Sequence, residues 1–113
     1  MALRPLTRLR RICLSLPEAA EQETWGEATF RVRGKIFVIA KADGSSFSCK
    51  APPGSQAVLV GADPKRFYVP PYVGHKGWVG VRLAGRPNWD EVARIVTRSY
   101  QMTAPKRLAS QLA

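Results

Sequence analysis

The chain has 113 residues, 18 of them Lys or Arg and eight Asp or Glu, which gives a formal net charge of +10. This length suits a single domain, 1–113, with its own hydrophobic core. No apolar run approaches the roughly 20 residues of a membrane span, and two cysteines with one histidine are too few for a disulfide scaffold or a zinc site. We therefore expect a cytoplasmic protein without metal or cofactor, whose excess charge makes polyanions the first partners to consider.

The positive charge is spread along the chain and does not form a basic tail. Residues 1–17 carry four arginines, and residues 18–27 carry four glutamates that offset them. The remaining 86 residues hold 14 basic and four acidic side chains, so the excess has to lie on the surface of the folded body. We interpret the acidic stretch as a helix start or as a counter-charge to residues 4–11, and cation binding is the alternative.

Apolar residues recur at steps of three and four near the start of the chain and predict a helix over residues 4–16. This stripe contains Leu6, Leu9, Cys13 and Leu16. The helix ends before Pro17, because the residue that precedes a proline avoids helical geometry. A second stripe consists of Arg4, Arg8 and Arg11. We interpret it as a solvated face.

Three antiparallel strands are predicted in the middle of the chain. Apolar and polar residues alternate over Ala28–Arg33, and Gly34 then marks a tight reversal into the apolar strand Lys35–Lys41. Asp43-Gly44 is a strong hairpin signal and leads into the strand Ser46–Lys50.

Shorter elements follow these strands. Ser55–Gly61 is predicted to form a short helix and Phe67–Val69 a brief strand. The segment 70–77 is rich in proline and glycine and predicts a loop with several turns. Gly77–Leu83 is the last predicted strand, because apolar residues alternate along it.

The final helix has the clearest start signal. Asn88 is a good N-cap, and Glu91 follows three positions later, as in a capping box. Helical spacing continues to Tyr100, and Lys106–Leu112 predicts a further short helix. The order of helix, antiparallel strands and helix predicts an α+β fold. We expect a two-layer sandwich in which the N- and C-terminal helices pack on one face of the sheet.

Several short motifs occur in order along nearly the whole chain. They are Leu16-Pro17, Trp25-Gly26, Thr29–Val32, Gly34–Phe37, Pro70–Gly74, Gly77–Val79, Trp89–Val92, Ser99-Tyr100 and Ala104–Leu108. In these motifs the chain resembles the MmcQ/YjbR family of small bacterial proteins. The resemblance implies a CyaY-like, frataxin-like fold and a DNA-binding role. It does not imply iron binding, because frataxins rely on an acidic first helix and the first helix here is basic.

Strand alternation also predicts which side chains lie on the sheet face that the helices leave open. That face would present Thr29, Arg31, Arg33, Ser46, Ser48, Lys50, Trp78, Gly80 and Arg82. The cations would bind phosphates, and the ring of Trp78 would stack on a base. The alternative is an ordinary polar sheet face with Trp78 tucked under the neighbouring loop.

The loop Tyr72–Trp78 is the second candidate site. Its glycines would allow the backbone to approach a ligand, and Lys76 would meet a phosphate. The alternative is a structural turn whose glycines adopt positive φ. We interpret His75 as an exposed loop residue. The residues assigned to the core by their pattern are Cys13, Cys49, Trp25, Trp89 and Tyr100.

Together these observations predict a monomeric, non-enzymatic module that binds nucleic acid, DNA rather than RNA. The predicted contact residues are Arg31, Arg33, Lys50, Lys76, Trp78 and Arg82. The alternative is an adaptor or binding protein for a small anionic ligand or an acidic protein partner. A deep pocket at the loop Tyr72–Trp78, with the cations scattered elsewhere, would favour this alternative. An enzyme ranks last of the three possibilities, because the sequence contains no catalytic constellation.

Overall fold

The computed structural model describes residues 3–112, which form a six-stranded sheet and four α-helices. In chain order the elements are α1 (Pro5–Leu14), β1 (Ala20–Thr24), β2 (Glu27–Val32), β3 (Lys35–Ala40), β4 (Ser46–Cys49), α2 (Ser55–Ala62), β5 (Phe67–Tyr68), β6 (Val79–Arg82), α3 (Trp89–Thr103) and α4 (Lys106–Ala109). Short 3-10 turns cover Gly74–Lys76 and Ser110–Leu112. The strands lie in the order β1-β2-β3-β4-β6-β5, and every neighbouring pair is antiparallel. The predicted α+β class is confirmed.

Most predicted elements are confirmed, with their ends shifted by at most three residues. The N-cap of α3 is also confirmed, because Oδ1 of Asn88 accepts a hydrogen bond from the backbone N–H of Glu91 at 3.1 Å. Among residues 3–112 no helix combines the length and the apolar character that crossing a membrane requires.

Strand β1 was not predicted from the sequence. Its five residues show no apolar alternation, and four of them are exposed. The strand forms because a two-residue turn, Trp25-Gly26, folds it back onto β2. The interpretation of residues 18–27 as a helix start was therefore wrong. The interpretation as a counter-charge is confirmed for Glu21, whose Oε1 accepts a hydrogen bond from Nε of Arg10 at 2.6 Å.

The core lies between the helices and one face of the sheet. Cross-strand neighbours on this face, Phe30 with Val38 and Cys49 with Val79, are all fully buried. A register shift between β2 and β3, just after Phe30, introduces a β-bulge. Two successive residues, Phe37 and Val38, are consequently both buried.

Two polar side chains of α3 fix this helix against the rest of the fold. Oγ of Ser99 donates to the carbonyl of Phe37 at 2.7 Å and accepts from the backbone N–H of Lys50 at 2.9 Å. The hydroxyl of Tyr100 donates to the carbonyl of Pro17 at 2.6 Å, and its ring packs edge-on against Phe37 with 5.4 Å between the ring centroids. A buried backbone group left without such a partner would cost about 1–3 kcal/mol.

Candidate functional site

The open face of the sheet does not carry the predicted continuous row of cations. Arg31 donates from Nη2 to Oγ1 of Thr24 at 3.0 Å and from Nε to Oγ1 of Thr29 at 3.2 Å. Thr29, predicted to face solvent, is fully buried. Arg33 lies in the turn after β2 and donates from Nε to Oε1 of Glu18 at 2.6 Å. This hydrogen bond lowers the pKa of Glu18 and raises the pKa of Arg33. Both arginines are thus engaged within the chain.

Lys50 and Trp78 lie away from the predicted positions. Strand β4 ends at Cys49, so alternation no longer governs Lys50, which lines a separate cleft on the helix side of the sheet. Trp78 is only 7% exposed, so its ring is not available for stacking on a base. It precedes Val79, the first residue of β6, and therefore also lies outside the alternation.

Arg82 lies on the predicted face, where it covers an aromatic ring. Its guanidinium carbon is 4.6 Å from the centroid of Tyr68, and its Nη1 donates to the carbonyl of Pro64 at 3.1 Å. The hydroxyl of Tyr68 is hydrogen-bonded to Oγ of Ser46 at 2.8 Å. The ring lies so close to Gly80 that an added Cβ would overlap it, which explains the glycine at this position.

A groove of about 660 Å³ opens on this side of the sheet. Ile39, Ser48 and Tyr68 line its floor, and Trp25 and Tyr72 lie at its rim. The rim residues come from two separate segments, the β1–β2 turn and the loop after β5. Its volume falls in the range of about 300–1,000 Å³ that is typical of ligand sites.

The two rim aromatics combine high exposure with an unfavourable backbone. Trp25 is 87% and Tyr72 is 92% exposed, and their φ angles are +53° and +67°. The left-handed region costs an ordinary L-residue roughly 1–2 kcal/mol, and such strain tends to occur at functional sites. Gly26 also has a positive φ, +77°, as the second position of a type I′ turn requires. The prediction that Trp25 belongs to the core was wrong, because this turn carries it off the sheet.

The loop after β5 is held in place by α2. Nε2 of Gln56 donates to the carbonyl of Gly74 at 2.8 Å, in the middle of the loop, and to that of Trp78 at 2.6 Å, at its end. Gly74 packs so closely that an added Cβ would approach a neighbouring side chain to 2.6 Å, and Gly77 has a φ of +85°. Both glycines therefore have structural roles, but the positive φ that the structural alternative expected occurs at Gly77 and not at Gly74. Lys76, between them, still lines the groove.

The groove carries two cations and one carboxylate. Lys41 follows β3, Lys76 ends the 3-10 turn, and Glu27 begins β2. Neither lysine takes part in the two ion pairs found within residues 3–112, Arg10–Glu21 and Arg33–Glu18. The arrangement suits a ligand with a flat aromatic part for the rings and negative charge for the amines.

The reactive side chains of the chain lie outside this groove. Burial raises the pKa of the Cys49 thiol to about 12 and raises that of Cys13 as well, so both are inert thiols at neutral pH. His75 is exposed and does not line the groove. No group of three His, Cys, Asp or Glu side chains that could hold a metal ion occurs in the part of the chain that the structure describes.

Of the six predicted contact residues, Lys76 alone lines the groove, together with the predicted outward residue Ser48. Sequence reasoning missed Trp25, Lys41 and Tyr68 as groove residues. For Trp25 a signal was present, since two residues ending in glycine, between two strands, favour a hairpin turn, whose side chains point to solvent.

Comparison with known proteins identifies a family for this chain and a solved structure of similar fold. The model of the YjbR family matches residues 14–102, which is most of the chain. No curated protein matches the sequence. Among solved structures, the chain is similar to the crystal structure of the Deinococcus radiodurans protein DR2400, described as a DUF419 domain. The TM-score is 0.78 at 22% identity, over 88% of this chain and 81% of that chain, a likeness of fold. The family match, together with the motifs quoted above, shows that the chain belongs to the YjbR family.

Proposed function

We propose that this chain is a non-enzymatic module that binds single-stranded nucleic acid, DNA before RNA, in the groove on the open face of its sheet. One observation carries the proposal. Two almost fully exposed aromatic rings, Trp25 and Tyr72, line the same groove as Lys41 and Lys76, two lysines that form no ion pair within residues 3–112.

Exposed rings on a sheet are a recurring platform for nucleobases. Each base offers a flat face, and base–aromatic stacking contributes about 1–3 kcal/mol per base. In a duplex these faces are already covered by neighbouring bases, so the rings reach them only in a single strand. The backbone strain at Trp25 and Tyr72 supports the same conclusion, because neither ring gains burial in the free protein.

The lysines supply the contacts to phosphate. Two contacts on a single strand predict a slope of about −1.4 for the logarithm of the association constant against the logarithm of salt concentration. The sheet face predicted from the sequence, with about four to six phosphate contacts on a single strand, would give a slope of about −3 to −4. Salt dependence therefore separates the groove from the originally predicted basic face.

The test is fluorescence anisotropy with a short labelled oligothymidine and with a hairpin duplex of equal length. We expect the single strand to bind more tightly. Trp25→Ala or Tyr72→Ala should weaken binding about fivefold or more. Leu14→Ala, an exposed apolar residue of α1, serves as the matched control. Equal affinity for duplex and single strand, or wild-type affinity in both aromatic variants, would refute the proposal.

A small planar anion is the second candidate, and two observations favour it. The groove is concave and of ligand size, and the predicted cations other than Lys76 lie outside it. A free nucleoside monophosphate tests this reading in competition with the oligothymidine. If it binds as tightly as the strand, the ligand is the single nucleotide unit and not the polymer.

We further propose that the protein is a monomer and that it resides in a bacterial cytoplasm. Both cysteines are free and buried, which fits a reducing compartment. Size-exclusion chromatography with light scattering measures the oligomeric state, and a dimer mass would contradict this part of the proposal.

A further inference from the structure

A second cavity lies on the other side of the sheet, between α2 and α3. Its volume is about 250 Å³. Three cations line it, Lys50 from the residue after β4 and Arg94 and Arg98 from α3, together with Ser55 at the start of α2. Val79, which belongs to the helix-covered face, lies at its base, so this cleft is separate from the groove.

The three cations have no acidic neighbour in the cleft. No carboxylate is among the lining residues, and the two ion pairs of residues 3–112 lie elsewhere. Neither arginine side chain donates a hydrogen bond to any described protein atom, and Lys50 bonds only through its backbone N–H. Three cationic residues thus border one small cleft, and none of them belongs to an ion pair within residues 3–112.

The surrounding fold holds this arrangement in place although the charges repel. Arg94 and Arg98 are four residues apart on one helix, a spacing at which like charges destabilise a helix. The backbone of Lys50 is fixed to the same helix by the hydrogen bond from its N–H to Oγ of Ser99 at 2.9 Å. An anion bound by these side chains would relieve this repulsion.

We propose that the α2–α3 cleft binds a phosphomonoester. Two guanidinium groups suit bidentate contacts to phosphate oxygens, and three positive charges match a dianion. The remaining lining is apolar, chiefly Leu59 and Ile95, which suits a short organic group attached to the phosphate. A volume of about 250 Å³ restricts that group to a small one.

A phosphomonoester group occurs both in a free small phosphate ester and in the 5′-phosphate at the end of a nucleic-acid strand. Isothermal titration with phenyl phosphate tests the first source. Anisotropy with 5′-phosphorylated and unphosphorylated oligothymidine tests the second. Binding of phenyl phosphate that is weakened by substitution of Arg94 or Arg98, or tighter binding of the phosphorylated strand that is weakened in the same way, supports the cleft and identifies its source.

Arg94→Gln and Arg98→Gln should each weaken phosphomonoester binding about tenfold or more. Arg11→Gln, an exposed arginine of α1 outside the cleft, is the control. Both cleft variants should fold at least as stably as the wild type, since each removes repulsion, and phenyl phosphate should raise the Tm of the wild type alone. The proposal is overturned if phenyl phosphate does not bind and the two strands bind equally. It is also overturned if the cleft variants bind as the wild type does.

Discussion

Replacing Trp25 with asparagine should make the protein more stable and a weaker binder. Trp25 occupies the first position of a two-residue turn at a φ of +53°, a conformation that costs most L-residues roughly 1–2 kcal/mol and that asparagine tolerates. The ring is 87% exposed, so it buries about 30 Å² and contributes at most about 0.8 kcal/mol to stability. The net gain is about 0.5–1 kcal/mol, which raises Tm by about 2–5 °C.

The same substitution removes a stacking surface from the groove. A loss of about 1–3 kcal/mol per base corresponds to a roughly 5- to 150-fold lower affinity for single-stranded DNA. Thermal unfolding followed by circular dichroism measures the first effect, and anisotropy with oligothymidine measures the second.

A control for the turn itself exists in the chain. Arg33 and Gly34 form the next two-residue turn, with φ values of +52° and +79°. Arg33→Asn should raise Tm by a smaller amount, because it also removes the exposed contact with Glu18. A Trp25→Asn protein that is less stable than the wild type would refute the strain argument. Unchanged affinity in this variant would remove Trp25 from the binding site.

Three further predictions concern the fold. Gly80→Ala should displace the ring of Tyr68 and lower Tm, because the new Cβ would overlap that ring, and thermal unfolding measures the loss. Asn88→Ala should cost about 1 kcal/mol through loss of the α3 cap, a fall in Tm of about 4 °C, and an unchanged Tm would contradict the role of this cap. Burial raises the pKa of the thiols of Cys13 and Cys49, so only the unfolded chain loses these protons as pH rises above about 9. The free energy of unfolding should then fall by up to about 1.4 kcal/mol per pH unit for each thiol in denaturant titrations, and Cys49→Ala should halve this slope.

Trp25 and Trp78 show where sequence reasoning reached its limit. Alternation placed Trp78 outside and pattern placed Trp25 inside, and the structure reverses both assignments. Alternation holds only within a strand, and both residues lie just beyond a strand end. Lys50 follows the same rule, since it comes directly after the last residue of β4.

Apolar residues well inside the strands lie in the core, as predicted. Phe30, Phe47 and Val81 are buried against the helices, and Ser48 faces the groove. Alternation does not predict which parts of a sheet face are covered by other side chains of the same protein. The contact of Arg31 with Thr29 and the packing of Tyr68 against Gly80 close parts of the open face that the pattern left to solvent.

The polar composition of β1 has a consequence for behaviour at high concentration. An outer strand with unpaired backbone groups is a template for pairing with another chain, and folded proteins resist this with charge or with short length. Here β1 carries the charged residues Glu21 and Glu23, and the opposite outer strand, β5, has only two residues. Both borders of the sheet therefore discourage intermolecular strand addition and aggregation. The polar sequence that hid β1 from prediction is thus well suited to the edge of a sheet.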